Sequence, residues 1–108
     1  MDERYEIVIS QRARRRMADI FDYMYRNASP LRAEKINNGL LDAINSLEKM
    51  PHSYKRVLEL CSDEVTYRRK LKWSYQIIFR IKEEEKEVFV FDVFHSRQDP
   101  AKLKKLLD

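Results

Sequence analysis

The chain has 108 residues, of which 44% are hydrophobic and 37% are charged, so it resembles one folded domain over residues 1–108 more than a disordered chain. One Gly and one Cys exclude a Gly-rich nucleotide loop and an internal disulfide, and we expect neither a metal nor a cofactor. The formal net charge of +4 favours an anionic partner, either nucleic acid or an acidic peptide, although a lysine-rich solvated surface gives the same balance. No apolar leader is visible, and no apolar run approaches the roughly 18 residues of a membrane span, so we expect a cytoplasmic protein.

The first half of the chain predicts one strand and then two helices. Residues 5–9 form a short β-branched segment that is typical of a strand, and Ser10 can cap the helix that follows. Ser29 and Pro30 mark the start of a second helix, which ends before Pro51. Apolar residues recur at helical spacing in both segments and predict two core stripes. Because the break between the helices is short, we expect an antiparallel helical hairpin.

Two features of these helices lower helix stability, and contacts with other residues have to compensate for them. Gly39 lies inside the second helix, where glycine costs about 1 kcal/mol relative to alanine, and we expect close packing against the first helix to compensate. Arginines crowd the first turns of the first helix, where positive charge opposes the helix dipole. Arg12, Arg15 and Arg16 are therefore candidates to hold an acidic partner or a phosphate, with plain helix surface as the alternative.

The second half of the chain changes to a period of two, which predicts strands. The predicted strands are residues 54–60, 65–73, 75–81 and 87–95. The last is apolar on nearly both faces, which suggests a central position, and a short helix is predicted over residues 100–107. Strands joined by tight turns run antiparallel. The predicted fold is therefore α+β, with the order β-α-α-β-β-β(-β) and an antiparallel sheet packed against a helical hairpin.

Several segments resemble the RelE/ParE superfamily of bacterial and archaeal toxins, and the resemblance covers nearly the whole chain. It begins with the strand that runs into a basic helix, and continues through residues 67–71 (YRRKL) and 75–81 (YQIIFRI). It ends with residues 93–100 (VFHSRQDP), which match a strand end of the form Val, any residue, His, a small residue, Arg, any residue, Asp, Pro. The resemblance implies the toxin of a type II toxin–antitoxin pair, as in plasmid-stabilisation systems, whose antitoxin carries an acidic, partly disordered tail. A homodimer, or a hetero-oligomer with the antitoxin, is compatible with it.

The superfamily includes two activities of different classes. ParE-like members inhibit DNA gyrase and are not known to catalyse a reaction, whereas RelE-like members are ribosome-dependent mRNA endonucleases. Cleavage of RNA requires proton transfer at the ribose and stabilisation of phosphate charge. The residues that can supply this chemistry here are Arg68, Arg69, His95 and Arg97.

The end of the chain favours the ParE-like activity. RelE-like enzymes often use a Tyr or His near the C-terminus, and neither residue follows Arg97 here. The His-x-Arg-x-Asp-Pro ending is also more similar to the ParE branch. We therefore favour gyrase inhibition over RNA cleavage, with a non-toxic protein-interaction module of the same fold as a third possibility.

Each candidate at the end of the last strand also has a plain structural interpretation. His95 can be a half-buried residue that makes a hydrogen bond and ends the strand. Alternation along a strand places Asp92 on the face opposite His95, so we do not expect a dyad between them. Arg97 can pair with Asp99 at the turn that follows.

Basic and aromatic residues of the middle strands have the same two interpretations. Arg68, Lys70 and Lys72 form a basic row that either contacts a target or is a solvated face. Trp73 and Tyr75 can stack on bases, although packing at the sheet edge is the simpler interpretation. The candidates for partner or target binding are Arg12, Arg15, Arg16, Arg68, Lys70, Lys72 and Arg97.

Overall fold

The structure is a computed structural model that describes residues 4–95. Its elements in chain order are β1 (Glu6–Ile9), α1 (Gln11–Asn27), α2 (Pro30–Asn45), β2 (Lys55–Arg56), β3 (Tyr67–Lys72), β4 (Tyr75–Lys82) and β5 (Glu87–His95). Single 3₁₀ turns lie at Ser46–Glu48, Pro51–Ser53 and Leu58–Leu60. The predicted α+β fold, with a helical hairpin on a sheet, is confirmed. The predicted helix over residues 100–107 lies outside the described residues.

The sheet has the strand order β1-β5-β4-β3-β2. The three pairs that β2, β3, β4 and β5 form in sequence are antiparallel, as predicted. The pair β1–β5 is parallel, which the prediction of an antiparallel sheet did not include. No tight turn joins these two strands, because the helices and three other strands lie between them in the chain, so the tight-turn argument does not apply to them. With β1 on one side and β4 on the other, β5 has the central position expected for it.

The hydrophobic core lies between the helical hairpin and one face of the sheet. Both predicted helix stripes contribute buried side chains, which are Ala13 and Met17 from α1 and Ile36, Leu40, Ala43 and Ile44 from α2. The sheet contributes Tyr75, Ile77, Phe79, Val88, Val90 and Val93. A second, smaller cluster covers the opposite face and consists of Val57, Leu60, Tyr67, Ile78 and Phe94. The segment between β2 and β3 therefore packs on the face of the sheet that the helices do not contact.

Serine side chains cap both helices, as predicted. The Ser10 hydroxyl oxygen accepts a hydrogen bond from the amide of Ala13 at 3.0 Å, and the Ser29 hydroxyl oxygen accepts one from the amide of Arg32 at 3.0 Å. Each cap satisfies an amide that has no partner within its own helix. Ser10 also donates from its hydroxyl to the carbonyl oxygen of Phe91 at 2.7 Å. The start of α1 is thereby fastened to β5.

The strand β5 continues beyond the end of β1. Their last register pair is Ile9 with Val90, and the chain of β1 then turns directly into α1. A β-bulge follows in β5, because Ile78 pairs with Asp92 while Phe79 pairs with Val90, which leaves Phe91 as the extra residue. The bulge and the departure of β1 leave this part of β5 beside the first turns of α1.

None of the helices within residues 4–95 combines the length and the apolar character that crossing a membrane requires.

Candidate functional site

A groove of about 770 Å³ opens between α1, α2, the β3–β4 turn and the end of β5. The apolar side chains that line it on the helical side are Ile20, Met24 and Ile36, which we call its apolar floor. Its polar and aromatic walls are formed by Arg16, Asp19, Tyr23, Arg32, Lys35, Trp73, Ser74, Tyr75 and His95. An apolar floor with polar groups at the walls is typical of a site that holds a ligand or a segment of another protein.

The charges around this groove are mainly positive. Arg32 and Lys35 are exposed on α2, and Asp19 is the acidic residue that lines the groove. Arg16 forms an ion pair with Asp92, in which its Nε lies 3.3 Å from Oδ1 and its Nη2 lies 3.4 Å from Oδ2. Asp92 is fully buried, and its Oδ1 also accepts a hydrogen bond from the amide of Val93 at 2.8 Å. The remaining positive charge of the walls therefore lies mainly on α2.

Trp73 occupies the tight turn between β3 and β4. Its backbone has a positive φ of 52°, which is uncommon for a bulky side chain. The indole ring lies against Gly39 in α2, and a Cβ atom at position 39 would overlap that ring. Gly39 was predicted to allow close packing against the first helix, and this prediction is wrong, because the group that approaches it is the Trp73 ring. Trp73 as a whole residue nevertheless stays 52% exposed.

The aromatic ring of Tyr75 is buried beside the groove. Burial raises the pKa of its hydroxyl, and the nearby Tyr23 raises it further. The ring of His95 lies 5.6 Å from that of Tyr75, in an edge-to-face arrangement. Lys72, Tyr75 and His95 form one row across β3, β4 and β5, since Lys72 pairs with Tyr75 and Tyr75 pairs with His95. His95 therefore ends the last described strand at the mouth of the groove.

The candidate arginines of α1 separate into two groups. The guanidinium of Arg12 lies 5.5 Å from the ring centroid of Phe91, and Arg16 forms the ion pair with Asp92. Arg12 and Arg16 therefore both contact β5, one helical turn apart. Arg15 is exposed on the surface of α1.

The basic row of β3 is half-buried and has partners within the protein. Arg68 donates from Nη1 to the carbonyl oxygen of Tyr54 at 2.8 Å. Lys70 donates from Nζ to the hydroxyl oxygens of Ser46 at 2.8 Å and of Tyr54 at 2.9 Å. The Nζ atom of Lys72 lies 4.6 Å from the ring centroid of Trp73. Each cation of the row therefore has a partner within the protein, so the row is more than a solvated face.

Among the candidate RNase residues that the structure describes, Arg68, Arg69 and His95 do not lie in one cluster. Arg68 and Arg69 are neighbours on one strand, so their side chains point to opposite faces of the sheet, and Nη1 of Arg69 donates to Oε1 of Gln76 at 3.3 Å. Arg68 lies four residues from the row that contains His95 and two strands away, which corresponds to roughly 17 Å between Cα atoms at ordinary sheet spacings. Arg97 lies outside the described residues. Within residues 4–95, no group of three or more His, Cys, Asp and Glu side chains is arranged to hold a metal ion.

Residues 7–100 match the family model described as the ParE toxin of a type II toxin–antitoxin system, parDE. The chain belongs to the ParE toxin family. Membership in this family confirms the predicted resemblance to the RelE/ParE superfamily, and it covers the strand, the hairpin and the sheet alike. No curated protein matches the chain in sequence.

Two solved structures are similar in fold to this ParE-family chain. One is a chain of the chromosomal ParDE TA system from P. aeruginosa, with a TM-score of 0.69 and 16% identity, covering 86% of this chain and 97% of that chain. The other is a chain of the toxin–antitoxin complex RelBE2 from Mycobacterium tuberculosis, with a TM-score of 0.60 and 18% identity, covering 88% of this chain and 97% of that chain. At these identities the likeness concerns the fold.

Several groove residues of this ParE-family chain were not among the residues that the sequence suggested, and Tyr23, Arg32 and Lys35 are examples. Tyr23, Arg32 and Lys35 are exposed residues on the outer sides of their helices, where polar and aromatic side chains are common. They line the groove only because the helical hairpin lies beside the end of β5. The spacing of Arg32 and Lys35, three residues apart on one helix face, was the available signal, and alone it does not separate a binding site from an ordinary surface.

Proposed function

We propose that this chain is the toxin of a type II pair, that it inhibits DNA gyrase by binding, and that an antitoxin with an acidic segment neutralises it. The observation that carries the proposal is the match of residues 7–100 to the ParE toxin family model. The ParE-like segment His-x-Arg-x-Asp-Pro, which contains His95 and Arg97, supports the same activity. A binding activity requires no cluster of catalytic groups, and the separation of Arg68 from His95 agrees with that.

The antitoxin part of the proposal is supported by charge. The chain has a formal net charge of +4, and the groove combines an apolar floor with exposed cations on α2. An acidic segment that also carries apolar side chains is complementary to such a surface. The two solved structures of similar fold are described as a toxin–antitoxin system and a toxin–antitoxin complex, which supports the same kind of partner here.

A second candidate is a RelE-like, ribosome-dependent mRNA endonuclease. The observation that favours it is the row of Lys72, Tyr75 and His95, which places a cation, a phenol and an imidazole within one stretch of sheet, with Tyr75 and His95 lining the groove. Such groups are suited to proton transfer and to stabilising phosphate charge. A third candidate is a protein-interaction module that has the fold but no toxicity.

The three candidates are distinguished by inducing the full chain under tight control and following DNA and protein synthesis together by pulse-labelling. We expect DNA synthesis to stop first, and we expect the purified chain to inhibit supercoiling by purified gyrase. Collapse of protein synthesis while DNA synthesis continues would instead establish the endonuclease, particularly if His95→Ala abolished it. Loss of neither process would leave the non-toxic module.

Two further measurements test the parts of this proposal separately. The antitoxin assignment predicts that an adjacent gene encodes a small acidic protein which forms a complex with this chain at micromolar concentration, and absence of such a complex would refute the assignment. Replacement of Arg97 by Ala should weaken gyrase inhibition if Arg97 contacts the target. Full inhibition by a folded Arg97→Ala variant would remove Arg97 from the binding surface.

A further inference from the structure

Trp73 is held in place by two local arrangements that are both unfavourable to the stability of the chain. Its positive φ places a bulky side chain in the left-handed region, which is disfavoured for residues other than glycine. Its ring lies against Gly39, and glycine is a poor residue for the interior of a helix such as α2. Gly39 is also the single glycine of the whole sequence. The sequence therefore uses its one glycine where the Trp73 ring has to fit.

Stability gained by burying the ring does not account for this arrangement. Trp73 remains 52% exposed as a residue, although its ring lies against α2 and the Nζ atom of Lys72 lies 4.6 Å from the ring centroid. Backbone conformations of this kind persist where the surrounding structure determines them, and they are concentrated at functional sites. An edge of the indole lies against Gly39, the Lys72 ammonium lies over the ring, and Trp73 also lines the groove. An aromatic side chain that is ordered before binding loses little conformational entropy when a partner contacts it.

The surroundings of Trp73 indicate which partner the groove fits. Tyr23 is 63% exposed on the α1 wall, so that two exposed aromatic rings flank the apolar floor. Arg32 and Lys35 add positive charge at the α2 wall. A floor made of Ile20, Met24 and Ile36 suits the apolar side chains of a polypeptide, whereas it offers no polar group to a sugar–phosphate backbone. A groove between two helices is also a common place for an amphipathic segment of another protein to bind.

We propose that Trp73 is the anchor through which this groove binds an acidic, apolar segment of the antitoxin, with Arg32 and Lys35 contacting the carboxylates of that segment. The proposal rests on the antitoxin part of the proposed function and deepens it, because it names the surface and the residues. Tryptophan and arginine are the residue types most enriched among those that dominate binding energy at protein interfaces. Gly39 acts as a positioning residue, since its lack of a side chain allows the ring to reach its place.

The experiment uses the fact that Trp73 is the single tryptophan of the chain. Incorporation of fluorotryptophan into the full chain gives one fluorine NMR resonance, which reports on the groove directly. The probe is the small acidic protein that the proposed function predicts as the product of an adjacent gene, prepared without the label. We expect the resonance to shift on saturation with this protein, and we expect Trp73→Ala to weaken binding about 30-fold or more, as for a dominant interface residue.

Matched variants separate the anchor from its surroundings. Gly39→Ala keeps every charge and the indole itself but displaces the ring, so we expect it to weaken binding as well, with a shifted resonance in the free protein. Arg32→Ala with Lys35→Ala should slow association and reduce the dependence of the rate on salt. Leu71→Ala serves as the control, because Leu71 is 58% exposed on the same β3–β4 hairpin but does not line the groove. Its binding should remain within twofold of the unmodified chain.

Several outcomes would overturn the proposal. Binding of the acidic protein with an unchanged resonance, or a folded Trp73→Ala variant that binds within twofold, would place the antitoxin elsewhere while leaving the antitoxin assignment intact. No binding by the unmodified chain would instead refute the proposed function itself. A shift produced by a short single-stranded RNA and not by the protein would identify a nucleic-acid surface, and a shift that depends on chain concentration alone would identify self-association. If Trp73→Ala fails to fold, the labelled chain and Gly39→Ala still decide the question.

Discussion

Replacement of Arg16 by Met tests the ion pair that joins α1 to the end of β5. The two side chains meet through two contacts of 3.3 and 3.4 Å, with the Asp92 side chain fully buried and that of Arg16 33% exposed. In the variant, the Asp92 carboxylate keeps the amide of Val93 as its hydrogen-bond donor but loses its counter-charge. A buried carboxylate without a counter-charge destabilises the folded state, and this penalty determines how much unfolding free energy the variant loses.

The expected magnitude follows from the burial of the two partners. Breaking a fully buried pair by removing one partner costs about 3–5 kcal/mol of unfolding free energy. Because a third of the Arg16 side chain reaches water, screening and local solvation reduce this loss, and we expect about 2–3 kcal/mol. The double variant Arg16→Met with Asp92→Asn contains no buried charge, and the amide oxygen of the new residue can still accept from Val93. It should therefore be more stable than the sum of the single effects by about 1–2 kcal/mol.

The measurement is urea unfolding of the four proteins of this double-mutant cycle, with the unfolding free energy taken from midpoint and slope. Arg15→Met is the matched control, because it removes the same charge from the neighbouring, exposed position of α1, and it should stay within about 0.5 kcal/mol of the unmodified chain. A coupling energy below about 0.3 kcal/mol, or equal losses for Arg16→Met and Arg15→Met, would refute the reasoning that Asp92 depends on Arg16.

Three further substitutions test other contacts. Ser10→Ala should cost more unfolding free energy than Ser29→Ala, about 2 against about 1 kcal/mol in chemical denaturation, because Ser10 caps its helix and also donates to β5 whereas Ser29 only caps, and equal losses would contradict this. The pKa of Glu83 is lowered, chiefly by the hydrogen bond from the Tyr5 hydroxyl, so Tyr5→Phe should raise that pKa in an NMR titration. A lowered pKa gives stability that is present above the ordinary carboxyl pKa and is lost as pH falls through the lowered value, so acidification should destabilise the unmodified chain more than Tyr5→Phe. Lys70→Met removes two hydrogen bonds and should lower thermal stability by about 1 kcal/mol at the midpoint, and an unchanged midpoint would show that these bonds contribute nothing.

The features that the sequence predicted well are those determined by neighbouring residues. The caps at Ser10 and Ser29, the apolar stripes and the period-two strands each depend on local backbone preference and on burial of one face. The central position of β5 followed from its apolar character on both faces. The family resemblance rests on the same local segments, which explains why the sequence alone indicated it.

The features that the sequence did not predict depend on contacts between distant residues. The parallel pairing of β1 with β5 and the bulge at Phe91 are properties of strand register, which the composition of a single strand does not specify. Asp92 illustrates the consequence, since alternation placed it opposite His95 but could not identify Arg16 as its partner. For Gly39 the sequence indicated a close approach, but not that Trp73, 34 positions later in the numbering, makes it. The groove is composed of such contacts, so its residues were only partly anticipated.

The shape of the groove depends on the unequal lengths of β1 and β5. Because β1 has four residues and β5 has nine, β5 continues without β1 beside it, and the start of α1 lies there instead. The contacts that hold the helix in this place include the hydrogen bond from the Ser10 hydroxyl to the carbonyl oxygen of Phe91 and the ion pair of Arg16 with Asp92. Together they fix the position of the α1 wall of the groove relative to its α2 wall.

This dependence can be tested because the two contacts differ in one respect. Arg16 lines the groove as well as fastening α1, so its replacement changes both the wall and the fastening, whereas Ser10 fastens the helix without lining the groove. If the contacts between α1 and β5 determine the shape of the groove, Ser10→Ala should weaken binding of the acidic partner about threefold to tenfold. It should also change the fluorine resonance at Trp73. Both are measured at a temperature where the variant remains fully folded. Ser29→Ala, which removes a cap but no contact to β5, should leave both unchanged. Equal effects of the two serine variants on binding would mean that helix stability in general, and not the position of α1 on β5, controls the groove.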